Sequence, residues 1–301
     1  MIKVMMKNIW SLILLSLFAG ASVSAHAAAR VECSTIPSKI LGHDVPYCAL
    51  LPPSYDEQAQ RKFPVLYYLH GLGDSERSMV NTGAWNMYLD LVEQGQVGEY
   101  LIVTPAGYKS FYVNSLDGKT RYEDFFIKEF LPFIEHTYHV RAERSARGLL
   151  GVSMGGYGAM RFAFKYPELF GSVSTHMAAL RESRPPELGG TVQGTLSAAI
   201  FGDPFDEAYY KQQSPFTLAR KAPLAQLKRT AIYFDCGKDD TYGFAVGNEA
   251  MDTLLTSRGV PHQAHIDPGT HSVFFVAQHL QASLEFESKA FGLTDKQVAK
   301  K

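Results

Sequence analysis

The chain has 301 residues, of which 46% are hydrophobic and 20% are charged, and its formal net charge is −1. This is the composition of a folded globular protein, so it excludes collagen-like, low-complexity and long disordered chains. The small net charge argues against a nucleic-acid-binding protein, which usually carries an excess of basic residues. It also leaves no polybasic anchor for anionic membranes.

The first 27 residues have the pattern of a secretory signal peptide. Two lysines precede an apolar run over residues 9–19, and Ala25-His26-Ala27 has the A-x-A form of a cleavage site. The run is too short to cross a membrane, which takes about 20 residues. We therefore expect residues 1–27 to be removed and residues 28–301 to form a secreted or periplasmic domain. No membrane span is expected after removal.

The chain has three cysteines, Cys33, Cys48 and Cys236, and their spacing matches no zinc-binding pattern. Export would bring them into an oxidising compartment, where Cys33 and Cys48 could pair. Cys236 would then be left without a partner.

The predicted β-hairpin over residues 31–52 argues against that bond. With Gly42 and His43 as the two turn residues, the cysteines are offset by four positions, or ~13 Å along the strands. A disulfide needs Cα atoms within ~7 Å. The hairpin therefore favours separate, reduced Cys33 and Cys48, unless residues 34–40 bulge or the turn is centred nearer Ile40.

The rest of the chain alternates apolar runs, typical of buried strands, with stretches of helical spacing. The predicted strands cover residues 63–69, 100–103, 148–152, 172–175, 231–235 and 262–266. The predicted helices cover residues 84–94, a stretch from 122 with a kink at Pro132, 155–166, 244–257 and about 274–290. Residues 178–228 break this rhythm and are predicted to form a cap-like insertion. The alternation predicts an α/β fold with a mostly parallel, twisted sheet and helices on both faces.

Gly151-Val152-Ser153-Met154-Gly155 has the G-x-S-x-G pattern of a nucleophile elbow. An apolar strand enters the motif and a helix leaves it, as an elbow requires. The flanking glycines let strand and helix pass closely, and the helix N-terminus favours developing negative charge. The alternative is an ordinary glycine-rich helix start with a serine cap. In context, Ser153 is predicted to be a nucleophile.

A serine nucleophile needs a base, which in this fold follows the last strand. His271 lies there, in Pro268-Gly269-Thr270-His271-Ser272. The other histidines considered lie within or beside predicted elements: His136, His139, His262, His265 and His279. Two H-x-x-H spacings among them lack a matched third ligand, so no metal is expected.

The acid should follow the preceding strand, to hold the imidazole tautomer and stabilise the imidazolium. Asp239 and Asp240 both occur there, with Asp235 as a third alternative. Asp240 is preferred because it lies three residues past the turn glycine Gly237.

An oxyanion hole needs two backbone N–H donors aimed at one point. One is predicted from Met154, the residue after the nucleophile. The other is predicted from Leu72, in the loop His70-Gly71-Leu72-Gly73 that ends an earlier strand. The alternative for this loop is a simple tight turn.

These motifs resemble the esterase-D / S-formylglutathione hydrolase-like branch of the α/β-hydrolases, which also includes tributyrin esterases, feruloyl esterases and antigen 85 mycolyltransferases. The matching segments span most of the chain: residues 45–55, 64–72, 151–160, 235–240 and 268–272. The family often has tryptophan where this chain has Val273. The resemblance implies the α/β-hydrolase fold.

The same resemblance implies a triad of Ser153, Asp240 and His271, with Leu72 and Met154 as oxyanion donors. We accordingly expect an exported serine carboxylesterase that takes a small-molecule ester, short-chain or aryl, through an acyl-enzyme and without a cofactor. The alternatives are an acyltransferase to a sugar or lipid hydroxyl, a thioesterase like S-formylglutathione hydrolase, and an inactive binding module. An export signal does not suit S-formylglutathione hydrolase, which works in the cytosol.

The sequence indicates the substrate pocket only loosely. Phe111, Tyr112, Asn114 and the 178–228 insertion are predicted to shape it, with loop packing as the alternative role. The natural substrate and the oligomeric state stay open.

Overall fold

The computed structural model describes residues 29–58, 60–183 and 192–293, so the predicted signal peptide lies outside the described residues. In that part of the chain eight strands form one sheet, in the order β1-β2-β4-β3-β5-β6-β7-β8. The strands are β1 (Arg30–Ser38), β2 (His43–Leu51), β3 (Val65–Leu69), β4 (Leu101–Pro105), β5 (Arg147–Val152), β6 (Ser172–His176), β7 (Ala231–Gly237) and β8 (Gln263–Asp267). β1 and β2 are antiparallel to their neighbours, and β3 to β8 are mutually parallel.

The helices are α1 (Ser78–Asn81), α2 (Ala84–Glu93), α3 (Tyr122–Phe125), α4 (Leu131–Thr137), α5 (Met154–Lys165), α6 (Val192–Phe201), α7 (Glu207–Gln213), α8 (Pro215–Lys221), α9 (Leu224–Leu227), α10 (Phe244–Ser257) and α11 (Val273–Ala290). Apart from the helix predicted from residue 122, the predicted strands and helices agree with these to within about two residues at each end. None of the helices in the described ranges combines the length and apolar character needed to cross a bilayer.

The inner strands β3 and β4 are buried on both faces, which explains their continuous apolar runs. Val65, Tyr67 and Leu69 of β3 point into a core that includes residues of α5 and α10. Leu66 and Tyr68 point to the opposite core, which includes residues of α2 and α11. Because side chains alternate along a strand, a strand covered on both faces carries apolar residues at every position.

The β1–β2 hairpin differs from the prediction. Ser38 pairs with His43, so residues 39–42 form a four-residue loop in place of a two-residue turn. In this register Cys33 lies opposite Cys48, with Cα atoms 4.1 Å apart, and the two form a disulfide. The prediction of two separate, reduced cysteines is therefore wrong.

The register has a physical cause outside the hairpin. The Glu129 carboxylate accepts hydrogen bonds from the backbone N–H groups of Lys39 and Ile40, at 3.1 and 3.2 Å. Gly42 closes the loop at φ +75°, a conformation that favours glycine. A carboxylate 90 residues away in the chain thus holds the loop open.

The helix predicted from residue 122 is interrupted before Pro132. A π-helical turn over Phe126–Phe130 separates α3 from α4, and Pro132 lies in the first turn of α4. Proline has no N–H to donate to a carbonyl of the preceding turn, so a regular α-helix cannot continue through it.

Between β6 and β7 the described residues include α6 to α9, within the range predicted to form an insertion. The described part packs against α5: the Tyr157 hydroxyl donates to the Gln213 carbonyl at 3.0 Å, and the Arg161 guanidinium donates to the Gln213 side chain. The segment thereby covers the helix that follows Ser153.

Candidate active site

Ser153 occupies a strained turn between β5 and α5. Its φ is +55°, which is unfavourable for a residue with a side chain, and its N–H donates to the His176 carbonyl at 2.9 Å. A Cβ at Gly155 would lie 1.8 Å from the Leu69 carbonyl oxygen, and one at Gly151 would lie 2.2 Å from the Gly155 oxygen. Both glycines of the motif are therefore required by close backbone contact.

His271 lies in the loop between β8 and α11, with its ring between Ser153 and Asp240. Its Nε2 is 3.0 Å from Ser153 Oγ, and its Nδ1 is 2.6 Å from Asp240 Oδ2. Since an ionised carboxylate can only accept, Nδ1 carries the proton and Nε2 is left to accept the serine proton. The geometry is that of a nucleophile, a base and an orienting acid.

Asp240 is fixed by its own backbone surroundings. Its Oδ1 accepts the N–H groups of Tyr242 and Phe244, at 2.8 and 3.3 Å. Burial alone would raise the pKa of Asp240, but the hydrogen bond from His271 and these backbone bonds outweigh it and lower the pKa. The carboxylate is thus kept ionised beside the imidazole.

The two other acids considered lie elsewhere. The Asp239 side chain is exposed, and its backbone N–H donates to the Gly269 carbonyl at 2.9 Å. Asp235 is fully buried and faces the His176 ring. The structure therefore places Asp240 beside His271, whereas Asp239 and Asp235 lie elsewhere.

Leu72 and Met154 both line the cavity around Ser153. Met154 is the first residue of α5, where backbone N–H groups lack intrahelical partners. The preceding His70 supports the Leu72 loop: its Nε2 accepts the Gly107 N–H at 2.8 Å, and its Nδ1 lies 2.8 Å from the Gly71 carbonyl oxygen. Burial lowers the pKa of His70, which keeps the ring neutral, as these two bonds require.

The cavity holds about 350 Å³, at the small end of the range for ligand clefts. The lining residues from β3, α1, α2 and α11 include Tyr68, Met79, Met87, Val276 and Leu280. Phe111, Tyr242 and Phe244 contribute aromatic rings to the same cavity. Ser153 and His271 thus face a small, largely apolar space.

The predicted substrate residues separate into two groups. Phe111 lines the cavity, whereas Tyr112 and Asn114 are absent from the described residues that line it. Tyr112 is fully buried and its hydroxyl donates to the His70 carbonyl at 3.0 Å. Asn114 accepts the Asp124 N–H through its side chain, at 3.1 Å. Both residues hold loops together, so their placement in the pocket is not supported.

The rival histidines are engaged in other contacts. His262 Nε2 lies 2.8 Å from Asp252, and His279 Nε2 lies 3.2 Å from Asp267. In the described part of the chain no three histidine, cysteine, aspartate or glutamate side chains are grouped as metal ligands would be.

Several residues of the site were not predicted from the sequence. Tyr242 packs its ring edge-to-face on His271, with centroids 4.8 Å apart, and Met79, Met87 and Leu280 line the cavity. Tyr242 could have been found, since it lies two residues after the acid. The other three lie on helices distant in sequence and carry no local signal.

Comparison with known proteins gives similarity over most of the chain. The family model described as "Putative esterase" matches residues 38–285. An esterase of Mycobacterium tuberculosis is 29% identical over 242 residues, which are 74% of this chain and 51% of that protein. The S-formylglutathione hydrolase of Paracoccus denitrificans is 26% identical over 85% of this chain and 91% of its own length.

Among solved structures, a ferulic acid esterase superposes with a TM-score of 0.77 at 28% identity, covering 88% of this chain and 99% of that one. These similarities confirm the α/β-hydrolase fold and the resemblance drawn from the sequence. The chain spans about half the length of the Mycobacterium tuberculosis esterase that it matches.

Proposed function

Since the chain belongs to the esterase family, we propose that it is a serine carboxylesterase that hydrolyses small carboxylic esters through an acyl-enzyme. The observation that carries this proposal is the hydrogen-bonded series Ser153–His271–Asp240 facing an apolar cavity. A hydroxyl within reach of an oriented imidazole can be deprotonated as it attacks.

The reaction would proceed in two halves. Ser153 Oγ attacks the ester carbonyl carbon as His271 Nε2 takes its proton, and the backbone N–H groups of Leu72 and Met154 stabilise the oxyanion. The carbon–oxygen bond to the alcohol then breaks, and His271 returns the proton to the departing oxygen. Water attacks the acyl-enzyme in the same way and releases the free acid and Ser153.

The cavity walls support an apolar acyl group. The leaving oxygen must lie at His271, whose ring contacts Tyr242 and Phe244. The acyl group is assigned to the apolar lining that includes Met79, Met87 and Leu280. Each buried methylene contributes about 0.8 kcal/mol, so kcat/KM should rise roughly fourfold per carbon until the cavity is full.

Export is part of the same proposal. The N-terminal pattern over residues 1–27 supports it. The Cys33–Cys48 disulfide is a second support, because disulfides persist mainly in oxidising compartments.

A panel of p-nitrophenyl esters from acetate to octanoate, with methyl ferulate and a thioester, tests the activity. We expect hydrolysis of the esters and labelling of Ser153 by a fluorophosphonate. Ser153→Ala should lose both, with kcat lower by at least ~10³, while Ser257→Ala, at an exposed serine, should keep them. Near-wild-type turnover in folded Ser153→Ala protein would refute the proposal.

A further inference from the structure

We propose that a buried hydrogen-bond network around His176 positions Ser153 and His271 relative to each other; this inference rests on the proposed function. The His176 network consists of His176, Asp235, Tyr233 and Ser283. His176 Nδ1 lies 2.9 and 2.8 Å from the two Asp235 carboxylate oxygens, and Nε2 lies 2.9 Å from Ser283 Oγ. The Tyr233 hydroxyl donates to Asp235 at 3.0 Å.

The network is separate from the proposed triad and is sealed from solvent. His176, Asp235 and Ser283 are each 0% exposed. None of the three lines the catalytic cavity, so none of them is placed to touch a substrate. Their action on the reaction would be through other residues.

The network joins β6, β7 and α11, each of which is connected to one of the proposed catalytic groups. His176 ends β6, and its carbonyl accepts the Ser153 N–H at 2.9 Å. Asp235 lies on β7, the strand that leads to Asp240. Ser283 lies on α11, which begins two residues after His271. A hydrogen bond from β6 to α11 therefore connects the backbone that holds the nucleophile to the helix that follows the base.

The cavity wall is tied to the same network. The Asp235 carbonyl accepts the Met177 N–H at 2.7 Å, and Met177 lines the cavity with a φ of +47°. A left-handed methionine persists only where its surroundings hold it. The carbonyl groups of His176 and Asp235 thus fix the backbone of Ser153 and of Met177.

A second buried network provides a natural comparison. Glu287 of α11 accepts the hydroxyls of Ser172 and Ser174, nearer the start of β6. It too joins α11 to β6, but about one helical turn farther from His271. Loss of the Ser283 bond should loosen the end of α11 that follows His271, whereas a change at Glu287 should leave that end in place.

Ser283→Ala tests the proposal, because it removes one hydroxyl and leaves the His176–Asp235 pair intact. All assays use the full chain below the unfolding temperature of every variant. We expect kcat for a p-nitrophenyl ester to fall about 10- to 100-fold with KM within twofold, since a shift of about 1 Å at a distance from the chemistry can cost about 100-fold in rate. The rate constant for fluorophosphonate labelling should fall in parallel, because it needs the same alignment.

Glu287→Gln is the matched control and should keep kcat within twofold. His176→Gln is a second variant, expected to lower kcat in the same way, and it stands in if Ser283→Ala does not fold. Folded Ser283→Ala or His176→Gln protein with a lower Tm but wild-type kcat would overturn the positioning role. Absence of labelling in the wild-type protein would instead refute the proposed function itself.

Discussion

Replacement of Glu287 by glutamine should stabilise the fold by an amount that grows with pH. Glu287 is fully buried, and its carboxyl group is bonded to the hydroxyls of Ser172 and Ser174. Burial raises its pKa from 4.5 to about 8, although the two serine bonds act in the opposite direction. At neutral pH the folded protein therefore holds this acid protonated, and glutamine imitates that neutral form.

The magnitude follows from linkage between proton binding and folding. Because the folded pKa lies above the unfolded one, the stability contributed by the proton is complete below about pH 4.5 and is lost as the pH rises through about 8. Each pH unit in that window costs about 1.4 kcal/mol. Wild-type protein should thus lose about 3 kcal/mol from this group by pH 7 and about 5 kcal/mol by pH 9, whereas Glu287→Gln should lose neither.

Urea unfolding at pH 5, 7 and 9, followed by circular dichroism, measures the difference in free energy of unfolding. In thermal melts the change should be roughly 2 °C per kcal/mol for a domain of this size. Glu285→Gln, on the more exposed side of the same helix, is the matched control and should show no such trend. If the free energies of unfolding of the wild-type protein and of Glu287→Gln differ by the same amount at pH 5 and pH 9, Glu287 is ionised in the folded protein and the reasoning is wrong.

Two further predictions concern the acid and the hairpin. Asp240→Asn should lower kcat by about 10³–10⁴, because the amide cannot hold the reactive imidazole tautomer. Asp239→Asn, at the exposed neighbour, should stay within twofold, and equal losses in the two would refute the assignment. Replacement of both Cys33 and Cys48 by serine should cost about 3 kcal/mol, since the bond closes a loop of 15 residues. Urea unfolding tests this, and peptide mapping without reduction should recover the two cysteines linked.

The parts of the site that follow from the sequence are those with a local signal. The strand, glycine-rich turn and helix around Ser153 can be recognised from one short stretch of sequence, and so can the loop around His271. Parallel strands place their carboxyl ends at one edge, so motifs after successive strands meet there. This is why Ser153, His271 and Asp240 could be brought together without coordinates.

The parts that could not be predicted depend on contacts between distant residues. The hairpin register depends on Glu129, and the His176 network joins residues 59 and 107 positions apart. The direction of a side chain in a loop is equally hidden: Phe111 and Tyr112 are adjacent aromatics, yet only the first lines the cavity. A loop lacks the regular spacing of apolar residues that shows which side chains of a helix or strand are buried.

Residues with a strained backbone also cluster around the cavity at Ser153. In the described ranges five residues other than glycine have a positive φ: Tyr108, Phe111, Tyr112, Ser153 and Met177. Phe111, Ser153 and Met177 line the cavity around Ser153, and Tyr108 and Tyr112 belong to the loop that carries Phe111. Such conformations cost about 1–3 kcal/mol each and persist only where surrounding contacts enforce them. Two of those contacts are identified above, the Tyr112 bond to His70 and the Met177 bond to Asp235. The stability of the surrounding sheet therefore maintains the strained backbone on which Ser153 and the cavity wall depend.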